Sequence, residues 1–141
     1  KLMDINYHIY GSNKYLEKYG MPKTINDLSK HNFISFGRGA PSPVFNPDWA
    51  LKLGIKDNKK RKPVMKVNSV MGLLLAVESG VGLAALPDYL VSLSRNVIKV
   101  LPSVEGPITE AHFVFPESLK NVARVTTFRN FLYSKISEFK S

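Results

Sequence analysis

The residues of this 141-residue chain best suited to chemistry are short polar ones where strands hand over to helices. Asn68 and Ser69 follow an apolar stretch at 64–67 and precede a helix-length apolar run. A helix start there presents unpaired backbone N–H groups beside small polar side chains, a combination that binds carboxylates and other anions. Plain N-capping without a ligand is the alternative for the same pair. Arg38, next to Gly37, can donate a charge-assisted hydrogen bond to such an anion, or can face solvent as a loop arginine. Ser12 and Pro87 occupy two further strand-to-helix junctions. Ser12 either lines a crevice or caps a helix, and the lone Trp49 either covers a ligand or packs in a short amphipathic helix.

Catalytic constellations are harder to find. His8, His31 and His112 lack metal-ligand spacing and read as surface or satisfied structural histidines. No Gly-x-Ser-x-Gly elbow occurs. Asp27, Asp48 and Asp88 fall near helix starts, where capping and dipole effects account for them. Gly80-Val81-Gly82-Leu83-Ala84-Ala85 looks like a dinucleotide fingerprint, but that motif must follow a strand and open a helix, whereas this one ends a helix and opens a strand. The expectation is a protein that is not an enzyme and carries no cofactor and no metal.

The elements that position these residues follow from periodicity and breakers. Residues 5–10 alternate as a short strand ending at Gly11. Ser12 caps a helix over 13–19, with Tyr15, Leu16 and Tyr19 on one face and Gly20 as its stop. Thr24 and Asp27 have capping-box spacing and start a short helix carrying Leu28. Residues 33–36 form a buried strand ending at Gly37-Arg38-Gly39, followed by a loop rich in proline and small residues (Ala40, Pro41, Ser42, Pro43, Pro47). Residues 48–53 make one or two helical turns closed by Gly54. Residues 64–67 are the next strand, and Asn68 or Ser69 caps a helix reaching Ser79, apolar on nearly all sides and therefore expected to be sandwiched. Gly80 stops it. Residues 83–86 form an apolar strand, and Pro87 suits the first turn of a helix through Ser94. Strands follow at 97–101 and 110–115. A final helix over 119–139 aligns Val122, Val125, Phe128, Leu132, Ile136 and Phe139 on one stripe.

Strand–helix alternation with short connections argues a three-layer α/β sheet with its strands in parallel. Ligands of such sheets bind beyond the carboxyl ends of the strands, which selects Gly37-Arg38, Asn68-Ser69 and Leu86-Pro87. With 44% apolar residues the chain can bury a core. The absence of cysteine excludes disulfides and thiolate zinc sites and is compatible with a reducing cytoplasm. The longest apolar stretch, residues 73–77, is too short to span a membrane. The N-terminus lacks the apolar core of a secretory signal, and without an initiating methionine it reads as a piece of a longer chain. Twenty Lys+Arg against 11 Asp+Glu give a net charge of +9. The dense part (Lys56, Lys59, Lys60, Arg61, Lys62, then Pro63) reads as a solvated loop, since no helix-turn-helix pattern accompanies it.

Taken in order, Tyr10-Gly11-Ser12, Tyr15-Leu16, Gly20, Pro22, Asp27-Leu28 and His31 make one set of motifs. Val67-Asn68-Ser69, Gly80-Val81-Gly82-Leu83-Ala84-Ala85-Leu86-Pro87 with Tyr89-Leu90, and Arg124-Val125, Phe128, Phe131-Leu132 make another. Together they resemble the effector-binding half of LysR-type transcriptional regulators. The resemblance implies an α/β, periplasmic-binding-protein-like (type 2) three-layer sandwich. Residues 1–10 would be a crossover strand from a first lobe, 11–96 the second lobe, and 97–141 a crossover strand with the strand and helix that return to that incomplete first lobe. It also implies a small-molecule effector bound near Ser12, Gly37, Arg38, Asn68, Ser69 and Pro87, with a carboxylate among the candidates. DNA would be contacted only through an N-terminal helix-turn-helix domain that the sequence lacks, as it lacks the linker helix and the first-lobe strands. A cytoplasmic homodimer or homotetramer without membrane contact is the expected setting. A transporter's solute-binding protein, and further behind it a small-molecule enzyme, share the architecture and remain the alternatives.

Overall fold

The computed structural model describes residues 1–37 and 46–140, so Arg38, Gly39, Ala40, Pro41, Ser42 and Pro43 lie outside the described residues. The chain forms two units, one of Asn6–Ile108 and one of Lys1–Ile5 with Thr109–Ser141.

In the larger unit, strand β2 (Tyr7–Ser12) follows strand β1 (Met3–Ile5), which belongs to the smaller unit. The single strand expected at 5–10 is therefore broken at Asn6, and it runs on through Gly11 and Ser12 because both pair with β6, at Ile98 and Val97. Helix α1 (Asn13–Tyr19) begins at Ser12, whose Oγ accepts a hydrogen bond from the Tyr15 N–H at 3.1 Å. A 3-10 turn over Ile25–Lys30 starts at Thr24, where the Asp27 carboxylate accepts from the backbone N–H groups of Lys23 and Thr24 and from the Thr24 hydroxyl. These three bonds hold the Asp27 carboxyl below its ordinary value, the Thr24 N–H contributing most.

Strand β3 (Ile34–Phe36), helix α2 (Trp49–Lys52), strand β4 (Met65–Val67), helix α3 (Val70–Glu78) and strand β5 (Ala84–Pro87) come next. Helix α4 (Asp88–Val91) and strand β6 (Val97–Val100) complete the unit. β3 and β4 pair in parallel. β2 runs antiparallel to both β5 and β6. One parallel bridge, Phe33 to Leu83, joins the two ladders and gives the order β4-β3-β5-β2-β6. The sheet is thus mixed, with β3, β4 and β5 parallel as expected and β2 reversed between its neighbours. Nothing in the alternation of a single strand encodes its direction; the partners lying 70 or more residues away decide it.

One face of this sheet carries Tyr10, Ala84, Leu86 and Val97 against Leu73, Leu74 and Val77 of α3 and Leu90 and Val91 of α4. Ile9, Leu28, Val77, Leu83, Ala84, Leu86 and Val100 are wholly buried. Each buried leucine or valine contributes about 1.5–3 kcal/mol of hydrophobic stabilisation. Helix α3 is covered on one side only: Met71 and Leu75, one turn apart, are about half exposed, so it is not sandwiched as its all-round apolar sequence suggested. Gly80 has φ 80°, a left-handed conformation that ends the run after α3. Pro87 closes β5 and stands as the N-cap of α4, not within its first turn, and α4 stops at Val91.

The basic stretch is exposed at Lys56, Lys59, Lys60 and Lys62, but Arg61 is half-buried. Its guanidinium donates to the Leu53 carbonyl at 2.7 Å and lies over the Phe33 ring, while Lys60 pairs with Asp48. Arg61 thereby satisfies a carbonyl just past α2.

In the smaller unit, β1 pairs antiparallel with β7 (Thr109–Ala111), shorter than the strand expected at 110–115. A 3-10 turn over Glu117–Leu119 precedes helix α5 (Ala123–Lys140). Of the expected stripe, Val122, Val125, Leu132 and Ile136 are half-buried and Phe128 is exposed; the side chain of Phe139 lies outside those described. Phe113 meets Phe128 edge-on, and the Tyr133 hydroxyl donates to the Lys1 carbonyl.

Candidate functional site

Parallel strands joined through helices carry their carboxyl ends to one side of a sheet, and here three of those ends converge. Gly37 ends β3, and its N–H donates to the Val67 carbonyl at 2.7 Å. A Cβ on Gly37 would come within 3.9 Å of the Asn68 Cβ, so the Gly37 and Asn68 backbones are neighbours. Asn68 and Ser69 are both exposed. Ser69, not Asn68, is the N-cap of α3: its Oγ accepts from the Gly72 N–H at 3.2 Å. Pro87 ends β5.

Phe36, Val70 and Pro87, each next to or among these residues, line one hollow of about 480 Å³, counting the space continuous with solvent. Its remaining walls are mostly apolar, with Tyr7, Phe33, Trp49, Leu51 and Leu73 prominent and Ser35 the polar exception. Trp49 is buried, and the edge of its indole lies against Gly106, where a Cβ would be 2.5 Å from the ring. Trp49 thus packs, as one of its two sequence readings had it, and it also lines the hollow.

The structure separates Ser12 from this group. β2 is antiparallel to β5, with Tyr7 opposite Pro87, so Ser12 lies five residues further along, about 17 Å away at strand spacing. It is buried beside Gly80 and acts as the cap of α1. Arg38 lies outside the described residues.

A polar cluster next to Pro87 was not anticipated. The Asp88 carboxylate accepts hydrogen bonds from His8 Nδ1 and the Tyr10 hydroxyl, each at 2.8 Å, and from Lys99 Nζ at 3.3 Å. Burial would raise the Asp88 pKa, but the bonds from His8 and Tyr10 and the nearby cationic charge outweigh it and hold the carboxyl below its ordinary range. Facing an ionised carboxylate, His8 Nδ1 carries the proton. Burial, reinforced by Asp88, raises the Tyr10 phenol well above its ordinary value, so it remains a donor. Asp88 was expected to act only on its own helix; the partners stand 78 and 80 residues away, beyond any local signal. A second histidine contact links His31 Nδ1 with the Tyr15 hydroxyl at 3.1 Å, and burial lowers the His31 pKa. Both histidines are thereby structural, as their spacing suggested. Among the described residues no group of three or more His, Cys, Asp or Glu could hold a metal ion, and no helix is long and apolar enough to cross a membrane.

A mixed sheet flanked by helices, with polar residues gathered at the ends of its parallel strands, is the lobe architecture of the type 2 periplasmic-binding-protein-like α/β fold. The chain belongs to the LysR substrate binding domain family, whose model matches residues 1–136. It is 29% identical over 131 residues to an uncharacterized HTH-type transcriptional regulator of Haemophilus influenzae, covering 89% of this chain and 44% of that relative, so it spans under half the relative's length. Among solved structures it is similar to the regulatory domain of CrgA, a LysR-type transcriptional regulator from Neisseria meningitidis. That match has a TM-score of 0.70 and 23% identity, covering 95% of this chain and 66% of that one. It is also similar to the effector domain of the transcriptional regulator AmpR of Pseudomonas aeruginosa, with a TM-score of 0.59 and 15% identity, covering 94% of this chain and 62% of that one.

Proposed function

We propose that this chain is the ligand-sensing part of a bacterial LysR-type regulator, and that its effector is a small carboxylate held at Gly37, Asn68, Ser69 and Pro87. One observation carries the reading: the ends of β3 and β5 and the start of α3 meet around a single hollow in a fold of this family. The nine-residue α3 directs its first N–H groups at a bound anion, with Ser69 fixing the helix start. Arg38 joins the set on its sequence position alone. Residues 11–96 act as the second lobe, and the segments 1–10 and 97–141 lead from and back to a first lobe. The effector favours one conformation of the protein over another, and that shift alters the grip of a separate helix-turn-helix domain on DNA; no reaction is involved. The regulator works in the cytoplasm as a homodimer or homotetramer.

Calorimetric titration of the full-length protein with a panel of small carboxylates tests this. The double variant Asn68→Ala/Ser69→Ala should bind at least about tenfold more weakly, the loss of one or two charge-assisted bonds, while keeping its circular dichroism spectrum. Unchanged affinity discards the assigned site.

A further inference from the structure

Strands β3 and β5 lie side by side yet pair at a single bridge. Ile34 N–H donates to the Leu83 carbonyl and Leu83 N–H to the Asn32 carbonyl, both at 2.8 Å, and among the described residues no ladder joins the strands beyond this point. Backbone groups alternate sides along a strand, so the bonds that do form fix which groups face the seam. Phe33 and Gly37 bond toward β4 and Ile34 toward β5, so Phe36 also turns toward β5. On the other side the Asp88 N–H bonds to the Asn6 carbonyl, which makes His8–Leu86 and Tyr10–Ala84 the bonded pairs of β2 with β5. Ala85 and Pro87 therefore face β3. A continued ladder would run from the Ala85 N–H to the Ile34 carbonyl, from the Phe36 N–H to the Ala85 carbonyl, and from residue 87 to the Phe36 carbonyl. The first bond is not formed, because the Phe33–Leu83 bridge is isolated. The last cannot form, because Pro87 has no N–H. The Ala85 donor and the Phe36 acceptor are thus left over by the fold itself. Both residues are half-buried and line the hollow, where such groups need partners. A carboxylate only accepts and a hydrocarbon offers nothing, whereas a secondary amide carries one donor and one acceptor. In a trans amide these point opposite ways, which suits a seam with its donor on β5 and its acceptor on β3.

We propose that the seam between β3 and β5 binds a peptide-type amide, so that the effector is an N-acyl amino acid or short peptide whose carboxylate is held at the start of α3, by Asn68 and Ser69. The amide oxygen accepts from the Ala85 N–H, and the amide N–H donates to the Phe36 carbonyl. The ligand thereby supplies across the seam what Pro87 withholds. This rests on the effector-sensing reading above and adds the ligand's second polar group.

The test titrates the full-length protein by calorimetry with N-acetylglycine and with levulinate, which has a methylene in place of the amide N–H. N-acetylglycinamide is the uncharged comparison. N-acetylglycine should bind about tenfold more tightly than levulinate, since levulinate leaves the Phe36 carbonyl unanswered. Hydrogen exchange locates the contact: the Ala85 amide should exchange readily in the free protein and slow when N-acetylglycine is bound. Pro87→Ala restores a donor on β5 opposite the Phe36 carbonyl, so the preference for N-acetylglycine over levulinate should fall toward unity, whatever the absolute affinities. Equal binding of N-acetylglycine and levulinate overturns the amide seam while leaving the carboxylate site standing. N-acetylglycinamide binding as tightly as N-acetylglycine keeps the seam and overturns the carboxylate site. An Ala85 amide already protected without ligand, or a preference unaltered by Pro87→Ala, overturns the seam, and binding by none of the probes overturns both.

Discussion

Asp88→Asn probes the cluster that fastens the Pro87 strand end to β2 and β6. The carboxylate takes three donors: His8 and Tyr10 on Oδ1, Lys99 on Oδ2. Hydrogen bonds to a charged group contribute about 1.5–3 kcal/mol each when buried, but one third of the Asp88 side chain is exposed, which weakens the Lys99 bond most. Asparagine keeps an oxygen for His8 and Tyr10, loses the charge, and turns an NH2 toward the Lys99 ammonium. A net loss of about 2 kcal/mol is expected. With an unfolding entropy of about 2.1 cal/mol/K per residue, this corresponds to a Tm lower by about 6–10 °C. The pH dependence supplies a second check. The Asp88 carboxyl is held below its ordinary 3.8 in the folded chain, so the unfolded chain takes the proton first and acid favours unfolding. The gap between parent and variant should be constant at neutral pH and close as pH falls below about 4. Thermal melts followed by far-ultraviolet circular dichroism at pH 7 and pH 3 measure both. Equal Tm values at pH 7, or a gap unchanged at pH 3, refute the reasoning.

Two further outcomes rest on local geometry. A Cβ on Gly82 would stand 2.6 Å from the Asn32 carbonyl oxygen, against backbone at the bridge that joins β3 to β5. Gly82→Ala should therefore cost about 1–3 kcal/mol and speed amide exchange at Ile34 and Leu83, read by hydrogen exchange; unaltered protection at both would contradict it. Ser12→Ala leaves the buried end of α1 with an unanswered Tyr15 N–H and should cost about 1–2 kcal/mol in urea unfolding. Because Ser12 is remote from the strand ends, carboxylate affinity should stay within twofold, roughly a few tenths of a kcal/mol.

Elements whose causes are local were legible in the sequence. The caps at Ser12 and Ser69, the stop at Gly80 and the positions of β3, β4 and β5 follow from neighbours within four residues, and each was found. What escaped detection depends on distant pairing. The reversal of β2, its extension through Gly11 and Ser12, and the exposed flank of α3 at Met71 and Leu75 are set by which strand or helix arrives alongside. The site shows the same division. Gly37, Asn68, Ser69 and Pro87 were placed by the rule for strand ends; Pro87 lines the hollow with Phe36 and Val70, to which Gly37 and Ser69 are the chain neighbours. Ser12 obeys the same local pattern at a strand that runs the other way, so it finishes at the far edge. The Asp88 cluster joins residues that share no local motif.

The Gly106 N–H donates to the Tyr7 carbonyl at 2.8 Å, and Ile5 pairs with Thr109 in the other unit. The polypeptide thus goes into residues 6–108 and comes out again at adjacent points, like a loop of thread drawn closed. Such a segment can be excised or transplanted whole: its own ends already meet, and a linker of a few residues could reconnect what is left behind. The same adjacency makes it a natural candidate for circular permutation, with new termini opened at a surface turn and the old ones fused.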